Sequence, residues 1–370
     1  MEHSFTLIIR QILEKYFSDK ADDVFQHSLL IQYLNEKTRS ANKGSKARSS
    51  FANLFAVYVL VEDYLNKGFP GERDYSTYEG VEFIHLFTRQ RKLPFGEKLQ
   101  NHALNNRLNS EFQKFFPNSD FVPVIRNLET NKYWFNENLL LVKIGGVVFN
   151  LAISVVEIID EYINSKKKAF EKFVDTCAQL QSISSESSEV AIEFISGLIS
   201  SNVDARLFEI VSYSILKYYY HDQVIFWGFE KDNLKVENLK LFKTGRANAN
   251  DGGIDFVMQP LGRFFQVTET LDFKKYFLDI DKVQRYPITF VVKSDDSIES
   301  LMTKIEKNAL KSYNVISVVA KYMSCIEELI NLPVLKDRFA ETIDRGYLNQ
   351  ILNEIALQSK VEFNYQELND

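Results

Sequence analysis

Near residues 181–188 the chain changes its apolar rhythm, and this change limits the possible folds more than any other feature. Before it, apolar residues recur mostly at helical spacing; after it, helical stretches alternate with short runs rich in β-branched and aromatic residues. The first pattern builds helices packed on helices, and the second builds a sheet with helices on its faces. The expected fold is α/β in the broad sense, of the α+β kind: a mixed sheet flanked by helices, preceded by a mostly helical N-terminal lobe.

The stretch 181–188, Gln-Ser-Ile-Ser-Ser-Glu-Ser-Ser, is small, polar and without a packing face. A chain of 370 residues is longer than one hydrophobic core usually serves, so the boundary is expected there, between lobes 1–180 and 189–370. In the first lobe, 5–34 reads as helices and 51–60 as a buried helix. Residues 66–80 and 88–107 are turn-rich and charged, and 138–163 is an apolar segment ending in a helix. In the second, a helix over 204–220 carries Leu207, Ile210, Val211, Ile215 and Leu216 on or near one face. Strands are expected at 224–229, 239–243, 254–258, 263–268 and 288–293, with further helices at 298–310, 322–330 and 348–357.

Composition narrows the function classes. Apolar residues make up 45% and aromatics 14%, with 30 Phe and 18 Tyr, as in a well-packed chain. A net charge of -6 argues against a cationic protein that coats nucleic acid indiscriminately, so any DNA contact must use local basic patches. Two widely separated cysteines suit neither a zinc cluster nor a disulfide framework. The first residues carry Glu2, Arg10, Glu14 and Lys15, too polar for a signal sequence, and the longest apolar run, 144–159, is interrupted by Asn150 and Glu157. A cytoplasmic protein with no membrane partner is expected. No phosphate-binding loop or dinucleotide fingerprint occurs, so no nucleotide cofactor is expected, and there is no G-x-S-x-G of a serine hydrolase.

The chemistry concentrates in residues 243–269. An Asn/Asp/Gly turn ending in Gly252 and Gly253 delivers the chain into Ile254-Asp255-Phe256-Val257-Met258, where alternation sets Asp255 on the face opposite Ile254 and Phe256. A carboxylate among apolar residues is costly unless it is paired or bound to metal. After the turn Pro260-Leu261-Gly262 comes Arg263-Phe264-Phe265-Gln266-Val267-Thr268-Glu269, the expected antiparallel partner, with Gln266 and Thr268 on one face.

A helix bearing a glutamate, then Gly-Gly-Ile-Asp-Phe, a hairpin and Phe-Gln-Val-Thr together resemble the catalytic core of the PD-(D/E)xK nuclease superfamily, in particular its type II restriction endonucleases. The resemblance implies a restriction-endonuclease-like fold and Mg²⁺ held by Asp255 and Gln266, with Glu209 as a further acidic ligand from the preceding helix. Metal there would polarise a phosphate and activate water. The sequence departs from the pattern at Thr268, where the family has a lysine. Glu269, Lys243, or Lys274 and Lys275 are the groups that could stand in.

Basic patches suggest where DNA would be held. Residues 35–49 carry Lys37, Arg39, Lys43, Lys46 and Arg48 among small hydrogen-bonding residues, suited to phosphate contacts. Arg246, Asn248 and Asn250 add similar groups beside the proposed site. The resulting expectation is a Mg²⁺-dependent type II restriction endonuclease acting on double-stranded DNA as a homodimer, two active sites making two cuts. A modification-dependent or repair nuclease, or an inactive DNA-binding protein of the same fold, would share these residues.

Overall fold

The computed structural model describes residues 2–39, 47–69, 71, 74–97, 99–183, 188–244, 254–269, 271–313 and 315–363, with the side chains of 47–50, 183 and 363 left out. The chain forms two compact units, Met1–Glu171 and Lys172–Asp370.

The first unit contains α1 (Ser4–Phe17), α2 (Ala21–His27), α3 (Leu29–Thr38), α4 (Ala47–Asn66), β1 (Val81–Glu82), α5 (Phe83–Lys92), α6 (Leu108–Phe115), β2 (Val124–Asn127), β3 (Lys132–Phe135), β4 (Leu141–Ile144) and β5 (Val147–Asn150). α7 (Ala152–Ile183) continues past the division between the units, so the first residues of the polar stretch, 181–183, belong to its last turn, about ten residues after the units part. Along α4, Leu54, Phe55, Ala56, Val57, Leu60 and Val61 are all fully buried, because a helix apolar on every side must be surrounded. The unit is mostly helical, as expected, but also holds a three-stranded sheet ordered β1-β3-β2 and a β4-β5 hairpin. These strands are two to four residues long, too short to show a period. The β2-β3 turn forms because the Asn127 side chain accepts from the backbone N–H groups of Glu129 and Thr130.

The second unit runs α8 (Ser188–Leu198), α9 (Ala205–Tyr220), β6 (Val224–Trp227), β7 (Lys235–Asn238), β8 (Lys240–Lys243), β9 (Phe256–Gln259), β10 (Arg263–Thr268), α10 (Phe273–Lys282), β11 (Ile288–Val292), α11 (Ile298–Tyr313), α12 (Ile316–Met323), β12 (Ile326–Ile330), α13 (Leu332–Asp344) and α14 (Leu348–Phe363). A five-stranded mixed sheet has the order β12-β11-β10-β9-β8. β8, β9 and β10 are antiparallel neighbours, and β10, β11 and β12 are parallel neighbours reached through helices. One face packs Leu241, Phe256, Met258, Phe265 and Val291 against α8, α9, α13 and α14. The other packs Val257, Phe264, Ile288, Phe290 and Val292 against α10, α11 and α12. The mixed sheet with helices on both faces is therefore present.

One expected element differs. Residues 322–330 read as helix, yet Ile326–Ile330 is a strand beside β11. The sequence Ile-Glu-Glu-Leu-Ile suits either period. Burial of Ile326, Leu329 and Ile330 at the sheet edge decides for the strand.

Candidate active site

Asp204 accepts from the backbone N–H groups of Arg206 and Leu207 and so starts α9, which turns Phe208, Ile210 and Val211 into the core. Glu209, one position away from that face, is left at the surface of the sheet end, where its carboxylate meets the Lys243 ammonium at 2.9 Å. Lys243 is the last residue of β8, opposite Phe256 of β9. The Thr244 backbone N–H donates to the Asp255 carbonyl at 3.0 Å, and the Thr244 hydroxyl donates to the Ile254 carbonyl. The segment entering β9 is thus tied to β8 on one side.

On the other side it is tied to β10. The Asp255 backbone N–H donates to the Phe265 carbonyl at 2.9 Å, and the β9-β10 register pairs Phe265 with Phe256. The paired register ends there: the Asp255 N–H, like Phe256, is set against Phe265, so the strand alternation breaks at Asp255. The hairpin closes through Gly262, whose positive φ of 68° is the left-handed conformation that glycine adopts without strain.

The Asp255 carboxylate accepts from the Val267 backbone N–H at 2.7 Å. Burial first, and then the Glu209 carboxylate, push its carboxyl up to about 7, against the opposing pull of the Val267 N–H, Lys275 and Lys243. Gln266 is buried; its amide N–H donates to the Val267 carbonyl at 3.2 Å, while its side-chain oxygen has no hydrogen-bond partner.

Glu209, Lys243 and Asp255 therefore gather at one end of the sheet, while Gln266 lies on β10 one residue before the Val267 whose N–H Asp255 accepts. Glu269 is directed elsewhere: its carboxylate pairs at 2.5 Å with the ammonium of buried Lys293, which also donates to the Val203 carbonyl. Lys293, at the end of β11, carries no motif spacing that would have singled it out. Lys275 lies in the first turn of α10 with its ammonium 3.3 Å from the Thr268 hydroxyl.

The residues expected to hold DNA are dispersed. Lys37 is buried, with its ammonium 2.5 Å from Glu111, which also accepts from Asn53. Arg39 is exposed at the end of α3. Lys43, Lys46, Arg246, Asn248 and Asn250, the glycines Gly252 and Gly253, and the side chain of Arg48 in α4 lie outside the described residues.

Whether the centre suits Mg²⁺ turns on its donors. Among the described residues no group of three or more His, Cys, Asp or Glu side chains is placed to hold a metal. The oxygens here are the mutually repelling carboxylates of Asp255 and Glu209, and the neighbouring strand carries the orphaned Gln266 amide oxygen; all are hard donors of the kind Mg²⁺ takes together with water and substrate phosphate. The residues fit. No protein-family model, curated protein or solved structure significantly matches the chain. No helix among the described residues is long and apolar enough to cross a membrane.

Proposed function

We propose that the chain is a Mg²⁺-dependent nuclease of the PD-(D/E)xK type, acting on double-stranded DNA as a type II restriction endonuclease. The observation that carries this reading is a buried carboxyl, Asp255, at the start of a sheet strand, raised by burial and by the Glu209 carboxylate and accepting from the Val267 N–H of the neighbouring strand. Groups arranged at such mutual cost recur at functional sites. The order of helix, antiparallel strands, helix and parallel strand accords with a restriction-endonuclease-like core.

Asp255, Glu209 and Gln266 would hold the metal, which when bound supplies a polarised phosphate and a more acidic water. The chain's own groups orient those donors. The Val267 N–H fixes one Asp255 oxygen, and the Lys243 ammonium holds Glu209 at the sheet end. In the hydrolysis a water oxygen bonds to phosphorus and one P–O ester bond breaks. The water loses a proton, the departing alkoxide gains one, and a diester becomes a monoester and a free hydroxyl. Exposed Arg39 suits a phosphate contact from the helical unit. Paired cuts are most simply made by a homodimer.

The test is incubation of pure protein with supercoiled plasmid and a bacteriophage genome, in Mg²⁺ and in EDTA. Discrete fragments with Mg²⁺ alone are expected. Asp255→Ala is expected to abolish cutting while leaving DNA affinity within about threefold, since phosphate contacts supply most of the affinity. Intact DNA across Mg²⁺ and Mn²⁺ would overturn the reading.

A further inference from the structure

The strand position where the resemblance implies a lysine holds Thr268, which is 2% exposed and faces the α10 side of the sheet. A lysine reaches that position from another element. Lys275 of α10 is half-buried, its ammonium lies 3.3 Å from the Thr268 hydroxyl, and among the described residues it forms no ion pair with a carboxylate. The other cations nearby are committed, Lys243 to Glu209 and Lys293 to Glu269. Lys274, its neighbour, is exposed.

Helix stability does not account for a lysine here. Lys275 sits in the first turn of α10, where the unsatisfied N–H groups and the helix dipole disfavour a cation. The helix is anchored instead by Phe273, Tyr276, Phe277 and Ile280, all buried on its sheet-facing side. That anchoring leaves the Lys275 stem to run back along the surface to the end of β10.

We propose that Lys275 is the cation of the Asp255 centre, seated by the Thr268 hydroxyl and contacting the phosphate under attack. This rests on the nuclease reading above. As the water oxygen bonds to phosphorus and the P–O ester bond breaks, negative charge accumulates on the non-bridging oxygens, and the ammonium meets it without giving up a proton. The departing alkoxide takes its proton from solvent water. In this arrangement a threonine on the strand and a lysine on the helix together replace the single strand lysine of the resemblance.

The experiment compares the parent protein with Lys275→Ala, Lys275→Gln, Lys274→Ala and the double variant Lys275→Ala/Thr268→Lys. Each is incubated with supercoiled plasmid and Mg²⁺ or Mn²⁺, its plasmid affinity is measured in Ca²⁺, and its fold is checked by thermal melting. Both Lys275 variants are expected to cut at least about 100-fold more slowly at unchanged melting temperature, with plasmid affinity within about threefold. Lys274→Ala is expected to cut at the parental rate. The double variant, with its cation returned to the strand, is expected to regain cutting over Lys275→Ala. A readout independent of turnover is acetylation of the parent protein: plasmid with Ca²⁺ is expected to protect Lys275 and leave Lys274 reactive. A cutting parent whose Lys275 variants cut equally fast, or equal acetylation of Lys275 with and without plasmid, would overturn this assignment alone. A parent that cuts no DNA with either metal would overturn the nuclease reading and this assignment with it.

Discussion

Ionising Asp255 places a negative charge in a buried position beside the Glu209 carboxylate, so the folded chain holds on to its proton far above the ordinary carboxylate value of 3.8. A raised folded value contributes stability that is complete below the unfolded value and is lost as pH rises through about 7. Asp255→Asn keeps an oxygen for the Val267 N–H and removes the charge. In EDTA this variant is expected to melt a few degrees higher than the parent above about pH 7, with the gap closing as pH falls towards 4, while it cuts no DNA. Parallel melting curves at all pH values would show that Asp255 carries no such burden.

α10 carries Lys275 to the sheet end, and its position follows from ring packing on one side and a cap at its start. Tyr276 packs on Phe290 with centroids 4.5 Å apart, and Phe277 stacks on Tyr322 at 4.3 Å. The cap is Asp272, whose carboxylate accepts from the Lys274 backbone N–H at 3.1 Å. Asp272→Ala is expected to cost about 1 kcal/mol in urea unfolding and to loosen the turn that holds Lys275, so cutting slows more than binding. A variant that loses that stability but cuts at the parental rate would separate the cap from the site. Of the helices of this unit α9, α11 and α14 were legible, α9 because its apolar stripe runs over sixteen residues; α8, α10 and α13 were not. β10, from Arg263 to Thr268, was legible too, set off by its turn. β12 was not, since five residues fit both periods and the parallel partner β11 lies about forty residues earlier.

Each unit of the molecule has its own core. In the first, Leu54 to Val61 and their neighbours form one continuous cluster; in the second, two clusters cover the two faces of the sheet. Calorimetry is expected to resolve two transitions. Phe55→Ala and Phe265→Ala, each removing a fully buried ring at about 3–5 kcal/mol, are expected to lower one transition each. A single transition lowered by both would make the chain one cooperative body.

The sequence alone was sufficient for the broad class, the change from helices to a mixed sheet, and the hairpin of β9 and β10 that Asp255 enters and Gln266 belongs to. Such features depend on local period and on turns a few residues long, which the order of side chains records directly. The partners of the charged groups depend on separations no local pattern encodes. Lys37 is placed in a polar, basic stretch by its sequence and is buried against Glu111 by the fold, 74 positions away. Glu209 finds Lys243, Glu269 finds Lys293, and Lys275 comes to Thr268 across a helix start. Thr268 read as a motif residue lost; in the fold it is a hydroxyl beneath an ammonium. Sequence names the charges available, and packing in three dimensions decides which are neutralised in pairs.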